Sequence, residues 1–163
     1  MSWLLERLRK SKDDRGMMAN LRCLLVESKK HRAWPALNRL GVPITDDVSA
    51  FIAGLYATHQ EETSDGNFGR TCKTIEQKRG DKRSDDNKLT PTERRFQHLL
   101  AAERGDELFN RILRMVRMAK SQGVPINYTR LENDLRKKED WRKTDWAASF
   151  WTPGVESAYE EDV

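Results

Sequence analysis

Residues 90–123 read TPTERRFQHLLAAERGDELFNRILRMVRMAKSQG, and this stretch decides the fold class. Thr90 stands at an N-cap position, Pro91 at the first helical position and Glu93 at N3, so they predict a capping box at a helix start. An Arg-Gly-Asp break ends this helix, and a second amphipathic helix follows until Gly123. Two helices joined by a short loop are typical of a helical bundle.

The chain outside this stretch has the same helical pattern. Apolar residues recur at three- and four-residue spacing in short segments, and Asp, Thr or Asn precedes several of them as a candidate N-cap. The sustained apolar–polar alternation of strands is absent. The sequence therefore predicts an all-α protein, a two-lobed helical bundle of about seven or eight short helices.

The predicted domains follow from local composition. The segment KRGDKRSDDNK at 78–88 is charged and has no apolar side chain, which favours a mobile linker between two lobes. We expect an N-terminal helical lobe over residues 1–78, a charged linker over 79–89, a C-terminal helical bundle over 90–152 and an acidic tail over 153–163.

Charge is distributed unevenly along the 163 residues. Lys and Arg number 30 against 26 Asp and Glu, a formal net charge of +4. Residues 88–143 hold 14 basic and 8 acidic side chains, whereas residues 144–163 hold five acids and no Lys or Arg. A basic body with an acidic tail suits a protein that binds a polyanion such as nucleic acid. An ordinary solvated surface explains the same charges.

Several classes of protein do not fit the sequence. No run of about 18 apolar residues exists, so we expect no membrane span, and the charged N-terminal segment does not resemble a signal peptide. Cys23 and Cys72 are too few and too far apart for a disulfide framework or a zinc site. We therefore expect a cytoplasmic protein.

The candidate catalytic groups are scattered. His31, His59 and His98 are far apart and have no metal-binding spacing. Adjacent carboxylates occur at predicted helix starts or in loops, where capping and solvation explain them better than metal ligation. We expect no catalytic residue, no metal site and no cofactor, and hence a protein that is not an enzyme.

The candidate binding residues are basic. In the predicted helix that ends the opening stretch, apolar side chains cover one side, and Glu107 can pair with one cation at i,i+4. An Arg guanidinium is a planar fork that can hold phosphate oxygens bidentately, although a solvated helix face is an equal alternative. The cations around the other side of this helix are Arg111, Arg114, Arg117 and Lys120.

Arg94 and Arg95 lie in the first turns of the capped helix. Cations there oppose the helix dipole and cost a few tenths of a kcal/mol each, which suggests that they serve a partner. Aromatic side chains near the C-terminus would suit base stacking, but their helical spacing favours a place in the core. These aromatic residues are Trp141, Trp146, Phe150 and Trp151.

Four segments, in this order, resemble one known family. They are Phe68-Gly69-Arg70-Thr71, Thr92-Glu93-Arg94-Arg95-Phe96, Ala102-Glu103-Arg104 and Ile126-Asn127-Tyr128, with a Trp-rich helix after them. Together they resemble the CasB family, the small subunit of the type I-E CRISPR Cascade complex. The charged 78–88 loop and the acidic tail depart from the family pattern.

The resemblance implies a non-catalytic, all-helical subunit that supports R-loop formation. Its expected partners are guide RNA and target DNA, the backbone and large subunits of Cascade, and a second copy of itself arranged head-to-tail. It would bind the nucleic-acid backbone rather than read bases, because the guide supplies sequence specificity. Carried over by position, the expected contacts are Arg22, Arg70, Arg94, Arg95, Arg111 and Arg114.

Two other functions are consistent with parts of the sequence. A free-standing transcription regulator would use Ser121-Gln122-Gly123 as the turn of a helix-turn-helix, and it would need a dimer and base-edge contacts from the next helix. A metal-dependent nuclease would need a ligand set that the sequence does not offer. Co-purification with guide RNA would separate the Cascade subunit from the regulator.

Overall fold

The computed structural model describes residues 2–83, 88–137 and 141–153, and these residues form nine α-helices and no β-strand. Two short 3-10 segments, Cys23–Leu25 and Lys30–Ala33, connect the second helix to the third. The predicted all-α class is confirmed, with more helices than the expected seven or eight. The helices are α1 Trp3–Lys10, α2 Arg15–Arg22, α3 Trp34–Arg39, α4 Asp47–Thr58, α5 Phe68–Arg79, α6 Pro91–Leu100, α7 Asp106–Gln122, α8 Tyr128–Arg136 and α9 Trp141–Phe150.

Side-chain caps start several of these helices, as the sequence pattern predicts. The capping box of α6 is complete: the Thr90 hydroxyl accepts from the Glu93 amide at 3.0 Å, and the Glu93 carboxylate accepts from the Thr90 amide at 3.0 Å. Asp46 and Asn67 cap α4 and α5 in the simpler way, each accepting from one backbone amide. The α6 start is therefore determined by local sequence.

The described helices group into two compact units by their contacts. Unit 1 is Met1–Ser64 with Tyr128–Arg136, and unit 2 is Asp65–Asn127 with Lys137–Val163. This grouping differs from the predicted lobes in two helices, because α5 belongs to unit 2 and α8 to unit 1. The predicted linker 79–89 lies within unit 2, and its residues 84–87, like the tail residues 154–163, lie outside the described residues.

Unit 1 is built around α4, which is buried on nearly all sides. Helices α1, α2 and α8 pack against it. The hydroxyl of buried Tyr128, at the start of α8, donates to carbonyl oxygens of Leu55 and His59 at the C-terminal end of α4. Helix α8 thus adds side-chain hydrogen bonds to the C-terminal end of α4, where the Leu55 carbonyl also accepts from the His59 amide at 2.9 Å, and these bonds help to explain its place in unit 1.

Unit 2 is built around α5 and α9. Gly69 lets these helices approach closely, because a Cβ at this position would lie 1.9 Å from the carbonyl oxygen of Trp146. The rings of Phe96 and Phe150 stack with centroids 4.5 Å apart, and Trp146 and Phe150 are fully buried. The core prediction is confirmed for Trp146 and Phe150, whereas Trp151 is half-buried and the side chain of Trp141 is not among those described.

None of the described helices combines the length and the apolar composition that crossing a lipid bilayer requires.

Candidate nucleic-acid interface

Helix α6 presents two of the predicted binding residues to solvent. Phe96 and Leu99 face the core of unit 2, while Arg94 and Arg95 are exposed on the outer side of the helix. The guanidinium of Arg94 lies 3.4 Å from the carbonyl oxygen of Leu89, and Arg95 reaches toward α7. Both charges sit in the first turns of α6, where the helix dipole opposes them.

The buried carboxylate of Glu93 holds the start of α6 in place. Its two oxygens accept from the Arg83 guanidinium at 3.3 and 3.0 Å, from the Thr90 amide at 3.0 Å and from the Trp151 indole at 2.8 Å. Burial alone would raise the pKa of Glu93, but the hydrogen bonds from Arg83, Thr90 and Trp151 outweigh it and lower the pKa to about 2. The base of α6 is therefore firmly attached to α9 and to the preceding loop.

The preceding loop is itself joined to α6 by hydrogen bonds. The carboxylate of Asp81 accepts from the amide of Thr92 at 3.2 Å and from its hydroxyl at 2.6 Å. Arg83 makes the ion pair with Glu93 described above. Charged side chains in this loop thus serve as polar anchors, although the loop has no apolar group to bury.

Helices α6 and α7 run side by side in opposite directions. Arg111 of α7 donates to the carbonyl oxygen of His98 at 2.6 Å, and the guanidinium of Arg95 lies 3.8 Å from the sulfur of Met118. Arg111 also pairs with Glu107 at 2.8 Å, as the i,i+4 spacing predicts. Arg111 is therefore a half-buried structural contact between the two helices, with part of its charge balanced.

Arg114 lies on α7 between Arg111 and Met118, one turn from each, and is exposed. Among the described residues, Arg94, Arg95 and Arg114 make no ion pair with a carboxylate. We refer to Arg94, Arg95, Arg111 and Arg114 together as the arginine surface. An open depression of about 570 Å³ adjoins it on α6. This depression is lined by Arg94, Arg95, Gln97, His98 and Ala101. The structure thus brings four of the predicted cations together.

Two further predicted cations of α7 turn away from this surface. An α-helix rotates about 100° per residue, so Arg117 is displaced by about 120° from Arg111 around the helix axis, and Lys120 is on the opposite side. Both side chains are exposed. They extend the basic character of α7, but they do not face the same direction as Arg111.

Arg70 and Arg22 lie on helices other than α6 and α7. Arg70 is exposed in the first turn of α5, next to the close packing at Gly69. Arg22 belongs to unit 1, where its guanidinium donates to the carbonyl oxygen of Ala57 at 3.1 Å. The predicted set of contacts therefore divides into one surface and individual side chains.

Sequence reasoning missed the contribution of Gln97 and His98. Both are exposed and line the depression beside Arg94 and Arg95. The spacing of Arg94, His98 and Ala101 places them along one strip of α6, and this pattern is the signal that would have found them. His98 is confirmed as a helix-surface histidine.

Helix α8 is poorly suited to the recognition role that a helix-turn-helix would require. Its residues Leu131 and Leu135 are buried in unit 1. Its exposed cations are engaged with acids, since Arg130 pairs with Asp134 and Arg136 pairs with Glu132. Few donors remain to read base edges from this helix.

Potential metal ligands and the buried thiol of Cys72 are further groups that could carry chemistry. Among residues 2–83, 88–137 and 141–153, no group of three or more His, Cys, Asp or Glu side chains is placed to hold a metal ion. Burial raises the pKa of the Cys72 thiol well above its ordinary value, which makes this group a poor nucleophile. The exposed arginines are therefore the groups that the candidate site is built from.

Comparison with known proteins agrees with the resemblance. A family model described as CRISPR-associated protein Cse2 matches residues 7–151, whereas no curated protein matches. Two solved structures from Thermus thermophilus share the fold: a CRISPR-associated protein of the Cse2 family, with a TM-score of 0.67, and CasB, with a TM-score of 0.65. Each is 22% identical, and each alignment covers 91% of this chain and 92% of the other. Because the family model spans most of the sequence, this chain belongs to the Cse2 family of CRISPR-associated proteins.

Proposed function

We propose that this chain is a non-catalytic small subunit of a cytoplasmic type I-E Cascade complex, in which it holds nucleic-acid backbone and stabilises the R-loop. Its partners are guide RNA, target DNA, the backbone and large subunits, and a second copy of itself. Membership of the Cse2 family supports the assignment to a CRISPR complex. The arginine surface supports the role within it.

The observation that carries this proposal is the exposure of Arg94, Arg95 and Arg114 on one side of the α6–α7 pair. None of them is neutralised by a carboxylate among the described residues, and two oppose the dipole of their own helix. Guanidinium groups in such a position bind phosphate oxygens without reading sequence. Arg22, Arg70, Arg117 and Lys120 are proposed as additional contacts.

The test is R-loop formation by complexes rebuilt with an Arg94→Glu, Arg95→Glu variant. We expect assembly to be unchanged and R-loop formation to fall for every target sequence, because phosphates are the same in all targets. The fold should persist, since acidic side chains near a helix N-terminus are favourable and exposed charges contribute little to stability.

A matched control is Arg15→Glu, Arg32→Glu, which makes the same change in net charge with two exposed arginines of unit 1. This variant should form R-loops at nearly the wild-type level. R-loop formation that is equally reduced in both variants would indicate a general charge effect. Wild-type activity of the Arg94→Glu, Arg95→Glu variant would refute the site.

A further inference from the structure

The large apolar side chains that face solvent in the described part of the chain all belong to unit 1. They are Trp3, Val26, Trp34 and Ile44. Tryptophan is highly buried on average and is enriched at interfaces. Trp3 is 46% exposed, and it alone in this group of described residues has a guanidinium on its ring: the central carbon of the Arg7 guanidinium lies 4.7 Å from the ring centroid. The surroundings of Trp3 therefore indicate the chemistry of a partner.

Helix α1 holds Trp3 and Arg7 in a fixed place. It packs against α4, and its inner side carries the fully buried side chains of Leu4, Leu5 and Leu8. Arg7 donates through Nη1 to the carbonyl oxygen of Leu40 at 2.6 Å, and it lies so close to Gly41 that a Cβ there would clash with it. The guanidinium is thus anchored at the end of α3. An indole and a guanidinium that are already ordered lose little entropy when a partner binds.

Lys10 places a second charge beside the indole. An α-helix turns by about 100° per residue, so Trp3, Arg7 and Lys10 lie within about 60° of one another around α1, and all three are exposed. We call these three residues the α1 stripe. Neither Arg7 nor Lys10 makes an ion pair with a carboxylate among the described residues, whereas Arg9, on another side of α1, is paired with Glu62.

The chemistry of the α1 stripe fits an unpaired base with its phosphates. Arg7 covers one face of the indole, so the exposed part of the ring belongs mainly to the opposite face and the edge. A base inside a duplex has both faces covered by its neighbours, whereas an unpaired base can stack on an aromatic side chain. Helix α1 carries three cations against one acid, Glu6, so it attracts the phosphates of the same strand.

We propose that the α1 stripe is a second nucleic-acid contact, specific for single strands, in which a base stacks on Trp3 while Arg7 and Lys10 bind phosphates. This inference rests on the proposed function for its role, because an R-loop contains unpaired DNA. It adds a base contact in unit 1 to the backbone contacts proposed for unit 2. The contact reads no sequence, since every base has a face that can stack, and DNA and RNA share this chemistry.

The first test compares Trp3→Leu, which keeps an apolar side chain, with Trp3→Phe, which keeps an aromatic face. The full chain carries Arg94→Glu and Arg95→Glu as well, to remove the contribution of the arginine surface. Fluorescent strands of about 20 nucleotides are used as single-stranded DNA, single-stranded RNA and duplex DNA. We expect Trp3→Leu to raise the Kd for single strands about fivefold or more, and Trp3→Phe to raise it less than about threefold.

Duplex binding is the internal control for both Trp3 variants and should change by less than about twofold. A loss that is confined to DNA or to RNA would support the site and identify its source of strand. Wild-type single-strand affinity of the Trp3→Leu protein, or equal losses in the two variants, would overturn the proposal. A Trp3→Leu protein that fails to assemble with its subunits but binds single strands normally would instead assign Trp3 to a protein contact.

The second test concerns the phosphates. Lys10→Gln should flatten the dependence of log K on log salt by about 0.7 for single-stranded DNA. Arg15→Gln is the matched control, because Arg15 is an exposed cation of unit 1 that also lacks a carboxylate partner among the described residues. This control should leave the slope unchanged. Equal flattening in the two variants would overturn the phosphate contact of the α1 stripe.

The third test locates the base. A single strand that carries 5-iodouracil forms a photocross-link with an aromatic side chain on which this base stacks, and mass spectrometry identifies the linked residue. In the wild-type chain saturated with this strand, we expect a link at Trp3 that is absent with duplex DNA. Links only at Trp34, or no link at Trp3, would overturn the proposal. If the link forms at Trp3 but the Arg94→Glu, Arg95→Glu protein still forms R-loops at the wild-type level, the arginine surface is refuted and the α1 stripe is supported.

Discussion

Glu93 is the residue on which the base of α6 depends. Its carboxylate is buried and accepts from Arg83, Thr90 and Trp151, so it joins the loop, the helix and the end of α9. Glu93 has a structural role, whereas the two residues that follow it directly, Arg94 and Arg95, are the proposed phosphate contacts. A free carboxylate one position from Arg94 would weaken phosphate binding, but this one is engaged in internal hydrogen bonds.

Glu93→Gln should reduce stability, and the size of the loss should depend on pH. The folded-state pKa of about 2 lies below the ordinary value of 4.5, so the contribution is complete above pH 4.5 and is lost as the pH falls toward 2. The difference from wild type should be about 3 kcal/mol at pH 7 and should shrink by about 1 kcal/mol between pH 5 and pH 3.5. Urea unfolding followed by Trp fluorescence measures it.

Glu103→Gln is the matched control for this experiment, because Glu103 is exposed in the loop between α6 and α7. Its unfolding free energy should stay within about 0.5 kcal/mol of wild type at each pH. A Glu93→Gln loss that is the same at pH 5 and pH 3.5 would contradict the assigned pKa.

Substitutions of Arg111 and Arg114 should have different effects, although the two residues lie one turn apart on α7. We expect the first to affect stability and the second to affect DNA binding. Arg111→Ala should cost about 1 kcal/mol of unfolding free energy, because it removes hydrogen bonds to Glu107 and to the His98 carbonyl. Arg114→Ala should leave stability within about 0.5 kcal/mol of wild type and flatten the salt dependence of DNA binding by about one unit of slope. Equal stability losses in the two variants would contradict this division.

At the scale of the helix, the pairing of α5 with α9 depends on the absence of a side chain at Gly69. Gly69→Ala places a methyl group 1.9 Å from the Trp146 carbonyl oxygen, so the two helices must move apart. Alanine is better than glycine in a helix interior by about 1 kcal/mol, yet we expect a net loss of about 2 kcal/mol or more, since overpacking costs about 1–3 kcal/mol or more. Thermal unfolding followed by circular dichroism measures the loss.

Gly16→Ala in α2 is the control, because its Cβ would meet only the Asp14 carboxylate at an ordinary 3.6 Å. This variant should be as stable as wild type or slightly more stable, from the gain in helix propensity. A Gly69→Ala protein as stable as the Gly16→Ala protein would show that α5 and α9 adjust freely.

Local structure was predictable from the sequence, and the partners of each helix were not. Thr90 and Glu93 form their capping box through atoms three residues apart, so the pattern alone predicts it. The C-terminal bundle expected over residues 90–152 includes α8, yet α8 packs on α4 and belongs to unit 1. That choice depends on where buried surface and the Tyr128 hydrogen bonds are found, which no local pattern encodes.

The same limit applies to the arginine surface. Exposure of Arg94 and Arg95 follows from their helical positions. The structural role of Arg111 does not follow from its helical position. It depends on the antiparallel packing of α6 and α7, which brings the His98 carbonyl oxygen within 2.6 Å of the Arg111 guanidinium. Sequence reasoning thus identifies cations on a helix face, whereas the structure distinguishes those that can meet a partner from those that hold the fold.

At the scale of the whole molecule, the grouping of helices predicts which fragments fold. A fragment of residues 90–152, the lobe expected from sequence, lacks α5, although α5 packs against α6, α7 and α9. We expect this fragment to unfold without a cooperative transition in urea, because Phe68, Cys72 and Ile75 no longer complete the core. Circular dichroism at 222 nm measures the transition.

A fragment of residues 65–153 serves as the control for the 90–152 fragment, because it includes α5. It should regain a cooperative transition, although the apolar side of α8 then lacks α4. A 90–152 fragment that unfolds as sharply as 65–153 would contradict the assignment of α5 to unit 2.

The position of α8 in unit 1 has a consequence for synthesis on the ribosome. Protein domains commonly fold in order of their translation, at about 5–20 residues per second, with the N-terminal domain first. Here the polypeptide leaves unit 1 after Ser64 and supplies its last helix only at Tyr128–Arg136. A nascent chain must therefore keep α4 incompletely covered while more than 60 further residues are added. Unit 2 likewise cannot complete its core until α9 has been synthesised. The last helices of both units are therefore added within the same late stretch of translation.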